Sequence, residues 1–265
     1  MKNVLVTGAA GGMGKSAVKL LREKGYTVFA LDRKPMDDPP EGVVTLTADV
    51  TDGESVERAF SEIKKYTDQL CGILHFAGIY MLDSLVEMDT EEFERIFRVN
   101  LLGVFIVNKV FLPLLQRGSR IVITTSELAP LHPLPFTGVY AVSKAALDKY
   151  AYSLGMEIQL LGISVSVLRA GAVDTGMITA STDALDRFCN ETKLYACNSK
   201  RFKKIVDGVE ARRITTVKLA KKAVKVLEKK HPKFAYAINR NPLLLLFEAL
   251  PDPLRFWVIK RILKK

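Results

Sequence analysis

The chain is poor in the residues that build metal and disulfide sites: of 265 residues, three are cysteine and three histidine. Cys71, Cys189 and Cys197 are an odd number without short paired spacing. That excludes a disulfide framework and a zinc knuckle, and it points to a reducing compartment, the cytoplasm first. His75 lies in an apolar run and reads as a core residue, while His132 and His231 stand beside prolines, so no metal is expected. No stretch reaches the roughly 20 apolar residues of a membrane-spanning helix. Residues 101–115 come nearest and are interrupted by Asn108 and Lys109. The N-terminus lacks the pattern of a secretory signal and runs straight into NVLVT, so no cleaved leader is expected. Repeats and low-complexity linkers are missing too, and proline is dense only at 34–40 and 130–135.

What remains is globular in composition, with 48% hydrophobic and 26% charged residues. The net charge of +10 is unevenly spread: residues 200–265 hold 19 of the 39 basic residues and 5 of the 29 acidic ones. An electrostatic partner belongs to that last quarter. Lysines at 218, 222, 225 and 229 form a stripe there, but no aromatic platform accompanies it, so a solvated face rather than nucleic acid is expected.

Short apolar, β-branched runs alternate with segments of helical period over most of the chain. Strands are predicted at 3–7, 27–31, 43–48, 72–76, 120–125, 163–168 and 234–238. Helices are predicted at 12–24, 53–66, 90–115, 139–161 and 215–230. Near-continuous apolar strands such as NVLV and IVITT suit a parallel sheet covered on both faces, hence a doubly wound α/β fold. Residues 176–202 break the alternation and read as a lid. One domain over 1–240 with a C-terminal extension over 241–265 accounts for the rest.

The first strand leads into TGAAGGMGKSAVKLL, where Gly8, Gly12 and Gly14 occupy a turn that opens a helix. Such a turn lets the backbone approach a pyrophosphate, and the helix N-terminus offers free N–H donors. Eighteen residues past Gly14, at the end of the next predicted strand, Asp32 can accept both ribose hydroxyls and repel a 2′-phosphate, which favours NAD over NADP. Further on, YAVSK places Tyr140 and Lys144 four apart on a predicted helix, so they share a face. A neighbouring ammonium favours the phenolate that acid–base work requires.

TGAAGGMG and YAVSK, with ADVT at 48–51, HFAG at 75–78, VNLLG around Asn100 and ITTS ending at Ser126, resemble the short-chain dehydrogenases/reductases over roughly residues 1–240. The resemblance implies a single Rossmann fold with a mainly parallel seven-stranded sheet. It also implies that Tyr140 is the proton donor or acceptor, that Lys144 lowers its pKa and binds the nicotinamide ribose, that Ser126 holds the substrate oxygen, and that Asn100 anchors a water in a proton relay. By the same resemblance Met13 joins the glycine turn, Arg33 stands beside the ribose, Asp49 and Val50 meet the adenine, and Ala77 and Gly78 form the wall beside the cofactor. Val173 and Thr175 would contact the nicotinamide carboxamide, and Met177 the substrate. HFAG departs from the family's Asn-Asn-Ala-Gly, Ala170 stands where proline is usual, and Ser126 precedes Tyr140 by fourteen residues, one more than is commonest.

A lipophilic alcohol or ketone, steroid- or retinol-like, is the expected substrate, with a 3-oxoacyl-type ketone reductase or a non-catalytic dinucleotide sensor as alternatives. Apolar lid residues Met177, Ile178, Phe188, Leu194 and Tyr195 either line its pocket or pack the lid. On a helical wheel of the tail, Leu254, Val258, Ile262 and Leu263 gather opposite Lys260, Arg261 and Lys264, near Lys265, with Arg255 intruding on the apolar side. That pattern suits either peripheral contact with anionic lipid or packing on the protein itself. The family also implies a homodimer or homotetramer.

Overall fold

The computed structural model describes residues 2–209 and 213–264, at 177–180 and 209 by backbone alone. Seven strands form one sheet: β1 (Asn3–Thr7), β2 (Thr27–Asp32), β3 (Val43–Thr47), β4 (Leu70–His75), β5 (Leu115–Ser126), β6 (Ser164–Ala170) and β9 (Ala235–Ile238). Their order is β3-β2-β1-β4-β5-β6-β9, and every pairing is parallel. β7 (Val173–Asp174) and β8 (Ile214–Thr215) add a separate two-stranded pair that sequence patterning does not reveal.

The apolar character of each strand follows from its burial on both sides. In β1, Leu5 packs toward α2 (Gly53–Lys64), α4 (Gly103–Phe111) and α5 (Gly138–Ile158). Val4 and Val6 pack toward α1 (Gly12–Glu23) and α8 (Thr216–Leu227) on the other face. Each such side chain contributes about 1.5–3 kcal/mol by leaving water. Lys222 of α8 and Lys229 just past its end lie 5.1 and 5.7 Å from the Tyr236 ring centre, an amphipathic use of long cations at the surface.

The region predicted as one helix at 90–115 is a run of segments. α3 (Thr90–Phe97) passes through a π-helical turn, Arg98–Leu102, into α4, and a 3-10 turn, Leu112–Leu114, ends it. Contrary to the sequence expectation, Thr90–Leu114 is long and apolar enough to cross a membrane by length and composition alone. In the fold, Val104, Val107 and Phe111 are buried against the sheet. The segment read as a lid is a pair of helices, α6 (Gly176–Glu191) and α7 (Ala196–Val209), and the C-terminal residues form a second pair, α9 (Pro242–Glu248) and α10 (Asp252–Leu263).

Candidate active site

Strand order reverses between β1 and β4, so the chain leaves the sheet in opposite directions at their carboxyl ends and opens a crevice there. The glycine turn sits at this point. Gly8 has φ +68°, and a Cβ on it would stand 2.4 Å from the Ala77 nitrogen; one on Gly14 would stand 2.1 Å from the Gly8 oxygen. Only glycine permits this crossing. Gly11 caps α1 without a side-chain bond, leaving the first N–H groups of Gly12, Met13 and Gly14 directed into the crevice. At the end of β2, one Asp32 oxygen accepts from the Ala10 N–H at 3.0 Å and the other from the Lys34 N–H at 3.1 Å, while Arg33 is exposed. The turn and the acid are thus joined, and both fit a dinucleotide.

Asp49 accepts from the Thr51 N–H at 2.8 Å and from its hydroxyl at 2.7 Å, which shapes the turn after β3. Val50 is buried and packs toward Gly103 of α4. Ala77 and Gly78 follow β4, and a Cβ at Gly78 would stand 3.1 Å from the Asn100 oxygen and 3.4 Å from the Lys144 ammonium. Asn100 is fully buried in the π-helical turn. Its oxygen accepts from the Ile79 N–H at 2.9 Å, and its amide donates to the Ile79 carbonyl at 3.0 Å and to Ser143 at 3.1 Å. The extra residue of the π turn aims this side chain at the β4 loop, a use such bulges commonly serve at sites.

The site's core is one cavity of about 450 Å³ whose lining includes Met13, Gly78, Ser126, Tyr140, Lys144, Val173 and Thr175. Ser126, at the end of β5, is hydrogen-bonded to the Tyr140 hydroxyl from the first turn of α5. One turn on, Lys144 donates to the Thr124 carbonyl at 3.3 Å, and its nitrogen lies 5.8 Å from the Tyr140 ring centre. Burial holds the Lys144 ammonium down at about 8. Here the structure corrects the sequence expectation: in the chain by itself, burial raises the Tyr140 phenol, opposed by the Ser126 bond and reinforced by Tyr80, so Tyr140 holds its proton.

Beneath these groups Asp148 of α5 pairs with Arg169 of β6, at 2.6 Å and 3.0 Å, and accepts from Thr125 at 3.3 Å. This locks α5 to the strands that carry Ser126. His75 is the satisfied core residue that its apolar run predicts. It is buried, its Nε2 lies 2.9 Å from the Asn108 oxygen, and burial lowers its pKa to about 4.

Two features escaped the sequence reading. Thr124 lines the same cavity, and its buried hydroxyl has no partner among the described residues. Strand alternation, which puts residues two before Ser126 on its face, is the signal that marks it. The second is the apolar wall. Of the two roles open to the apolar residues of 176–202, Phe188 and Tyr195 take the packing one, around Phe136 and Phe202, and Leu194 is exposed. The side chains of Met177 and Ile178 lie outside the described residues. The wall comes from Phe202, Ile205 and Val206 of α7 together with Leu244, Phe247 and Ile259 of the extension.

The extension is clasped in place. Glu127 accepts from the Asn241 N–H at 2.6 Å, and Glu248 accepts from the His132 N–H at 3.1 Å and pairs with Arg255 at 3.1 Å. The longer loop between Ser126 and Tyr140 therefore serves as the dock for α9 and α10. Arg255, an intruder on the helical wheel, is the residue that fastens them.

A family model described as short chain dehydrogenase matches residues 2–186. A 3-ketodihydrosphingosine reductase of Bacteroides thetaiotaomicron is 27% identical over 232 residues, 87% of this chain and 85% of that protein. The estradiol 17-beta-dehydrogenase 2 of Mus musculus is 32% identical over 203 residues, 72% of this chain and 52% of that protein. Among solved structures, a short chain dehydrogenase of Burkholderia cenocepacia in complex with NADP superposes with a TM-score of 0.75 at 22% identity, covering 100% of both chains. The family match takes in six of the seven sheet strands and every group on the cavity floor, and the chain accordingly belongs to the short-chain dehydrogenases, oxidoreductases acting on alcohol and ketone groups with a nicotinamide cofactor.

Proposed function

We propose that the protein interconverts a lipophilic ketone and its secondary alcohol. The observation that carries this reading is the meeting of two hydroxyls, Ser126 and Tyr140, on the floor of a cavity whose remaining wall is apolar. A carbonyl oxygen placed at that meeting point accepts from both. Tyr140, protonated because it is buried, gives its proton to the oxygen as the carbon is reduced, and takes one back in the reverse direction. Ser126 orients the oxygen. Lys144, one turn away, places positive charge beside the phenolate that proton transfer leaves behind.

A nicotinamide cofactor bound here would supply or accept the hydride. The N–H groups of Gly12, Met13 and Gly14 would hold its pyrophosphate, Asp32 the adenosine ribose, and Asp49 and Val50 the adenine. Ala77, Gly78, Val173 and Thr175 would hold the nicotinamide end, and Asn100 fixes the loop after β4 through Ile79. Asp32 supports NAD. Arg33, exposed beside it, supports a second reading in which it receives the 2′-phosphate of NADP.

Acyl-chain ketones and steroid-type alcohols are the two candidate substrates, in line with the two relatives above. A homodimer or homotetramer in the cytoplasm fits best, joined at the exposed apolar groove of Phe93, Leu102, Phe105 and Tyr150. The test is turnover of a panel of 3-ketolipids and steroid ketones with NADH and NADPH, beside a Tyr140→Phe variant. Loss of the catalytic proton is expected to cut kcat by about 10²–10⁴-fold. Binding of either dinucleotide without turnover of any ketone would favour a sensor instead.

A further inference from the structure

The C-terminal pair of helices has more apolar surface than the pocket uses. On α10, Val258, Ile259 and Ile262 line the cavity, Leu263 is buried, and Arg255, 11% exposed, points to the same side. Of the apolar stripe that the helical wheel offers to lipid, Val258 and Leu263 thus turn onto the protein, while Leu254, 42% exposed, and Ile262, 46% exposed, stay at the surface. The opposite side is not simply polar: Phe256 is 78% exposed and Trp257 59%, and Lys260, Arg261 and Lys264 are exposed along the same face. On α9, Leu243 and Leu246 are exposed as well.

Among the described residues, the acids of α9 and α10 do not meet the cations of this face. The two acidic residues of the pair, Glu248 and Asp252, both bond Arg255, which leaves the outward cations without a carboxylate on their own helices. α7 lies alongside, its Asn198 amide bonding the Leu263 carbonyl at 2.6 Å, and it adds exposed Lys200, Arg201 and Lys204. Exposed aromatics among lysines and arginines, with Asp207 of α7 as an acidic neighbour of Lys203, match the boundary between anionic headgroups and acyl chains. Leu243 and Ile262 are at once exposed and part of the cavity lining, so they stand at its rim.

The geometry points to an anionic lipid bilayer as the partner of this face, with the cavity rim opening onto it so that the substrate enters from the membrane. The substrate route rests on the lipophilic-substrate reading, and the docking itself does not. Trp257 is the single tryptophan of the chain, so fluorescence reports the proposed contact alone. The full chain is titrated with phosphatidylglycerol-containing vesicles and with phosphatidylcholine vesicles, carrying brominated acyl chains in a parallel series.

Expected is a blue shift of Trp257 and quenching by the brominated chains with the anionic vesicles only. The double variant Lys260→Gln/Arg261→Gln is expected to bind about 30-fold more weakly, from about 1 kcal/mol per basic residue. It keeps wild-type turnover of a short water-soluble ketone and loses turnover of a vesicle-embedded one. An unmoved Trp257 spectrum with anionic vesicles overturns the proposal. A blue shift that needs only higher protein concentration overturns it too, in favour of a second copy of the chain on this face. Docking without faster turnover of embedded ketone removes the entry route. If no ketone is turned over at all, the substrate reading fails while the fluorescence still decides the docking.

Discussion

His75 makes the stability of this fold acid-sensitive by a predictable amount. Its ring is buried between Asn108, whose oxygen lies 2.9 Å from Nε2, and Thr7, whose hydroxyl lies 3.5 Å from Nδ1. Burial outweighs the Asn108 bond and moves the pKa from 6.5 to about 4. The folded chain therefore keeps the ring neutral where the unfolded chain has already taken a proton. Well above pH 6.5 neither state is protonated and stability is complete. As pH falls from 6.5 to 4 the unfolded state gains about 1.4 kcal/mol per pH unit, about 3 kcal/mol in all. Against a typical domain stability of about 5–15 kcal/mol this is a large share. The assay is urea denaturation at fixed ionic strength across pH 4–8 for the parent chain and for His75→Gln, which retains an amide for Asn108 but does not titrate. Other groups cancel in the difference. Its expected course is flat above pH 6.5 and about 3 kcal/mol in the variant's favour at pH 4. Parallel curves would refute the argument.

Thr124→Val removes a buried hydroxyl that lacks a partner while preserving shape, so the free chain gains about 1 kcal/mol. The same change reduces the rise in Tm that a nicotinamide dinucleotide produces, and thermal denaturation with and without cofactor measures both; a lower Tm for the free variant contradicts the reasoning. Arg255→Ala leaves Glu248 without its cation and loosens the docking of α9 and α10 by about 2 kcal/mol. Limited proteolysis within 241–264 then speeds up by about 30-fold, whereas the sheet's hydrogen-exchange protection is unchanged.

The parts of this protein written in local pattern were legible before any coordinates. Strand positions followed from apolar runs because both faces of the sheet are buried. The glycine turn and Asp32 were readable because backbone contact between Gly8, Gly14 and Ala77 leaves no alternative residue type. Tyr140 and Lys144 fell on one face because four residues make about one turn. The remainder depended on where distant segments dock. Nothing near Phe188 reveals that it faces Phe136 and Phe202 rather than the cavity, and nothing near Leu244 or Ile259 reveals that they replace it. The π turn at Asn100 rests on a single extra residue, below the resolution of any periodicity. The raised phenol of Tyr140 is a property of burial, which sequence spacing does not carry.

Because α9 and α10 dock on the loop after β5 through Glu127 and His132, the proposed division of labour is also a division of the chain. The groups proposed to move the proton lie before residue 145, and much of the apolar wall lies after residue 201. Transplanting the segment from 176 onward between relatives should therefore exchange substrate preference and leave proton chemistry where it is. In such a fold, new specificities arise by recombination at one junction more readily than by point substitution around the catalytic hydroxyls.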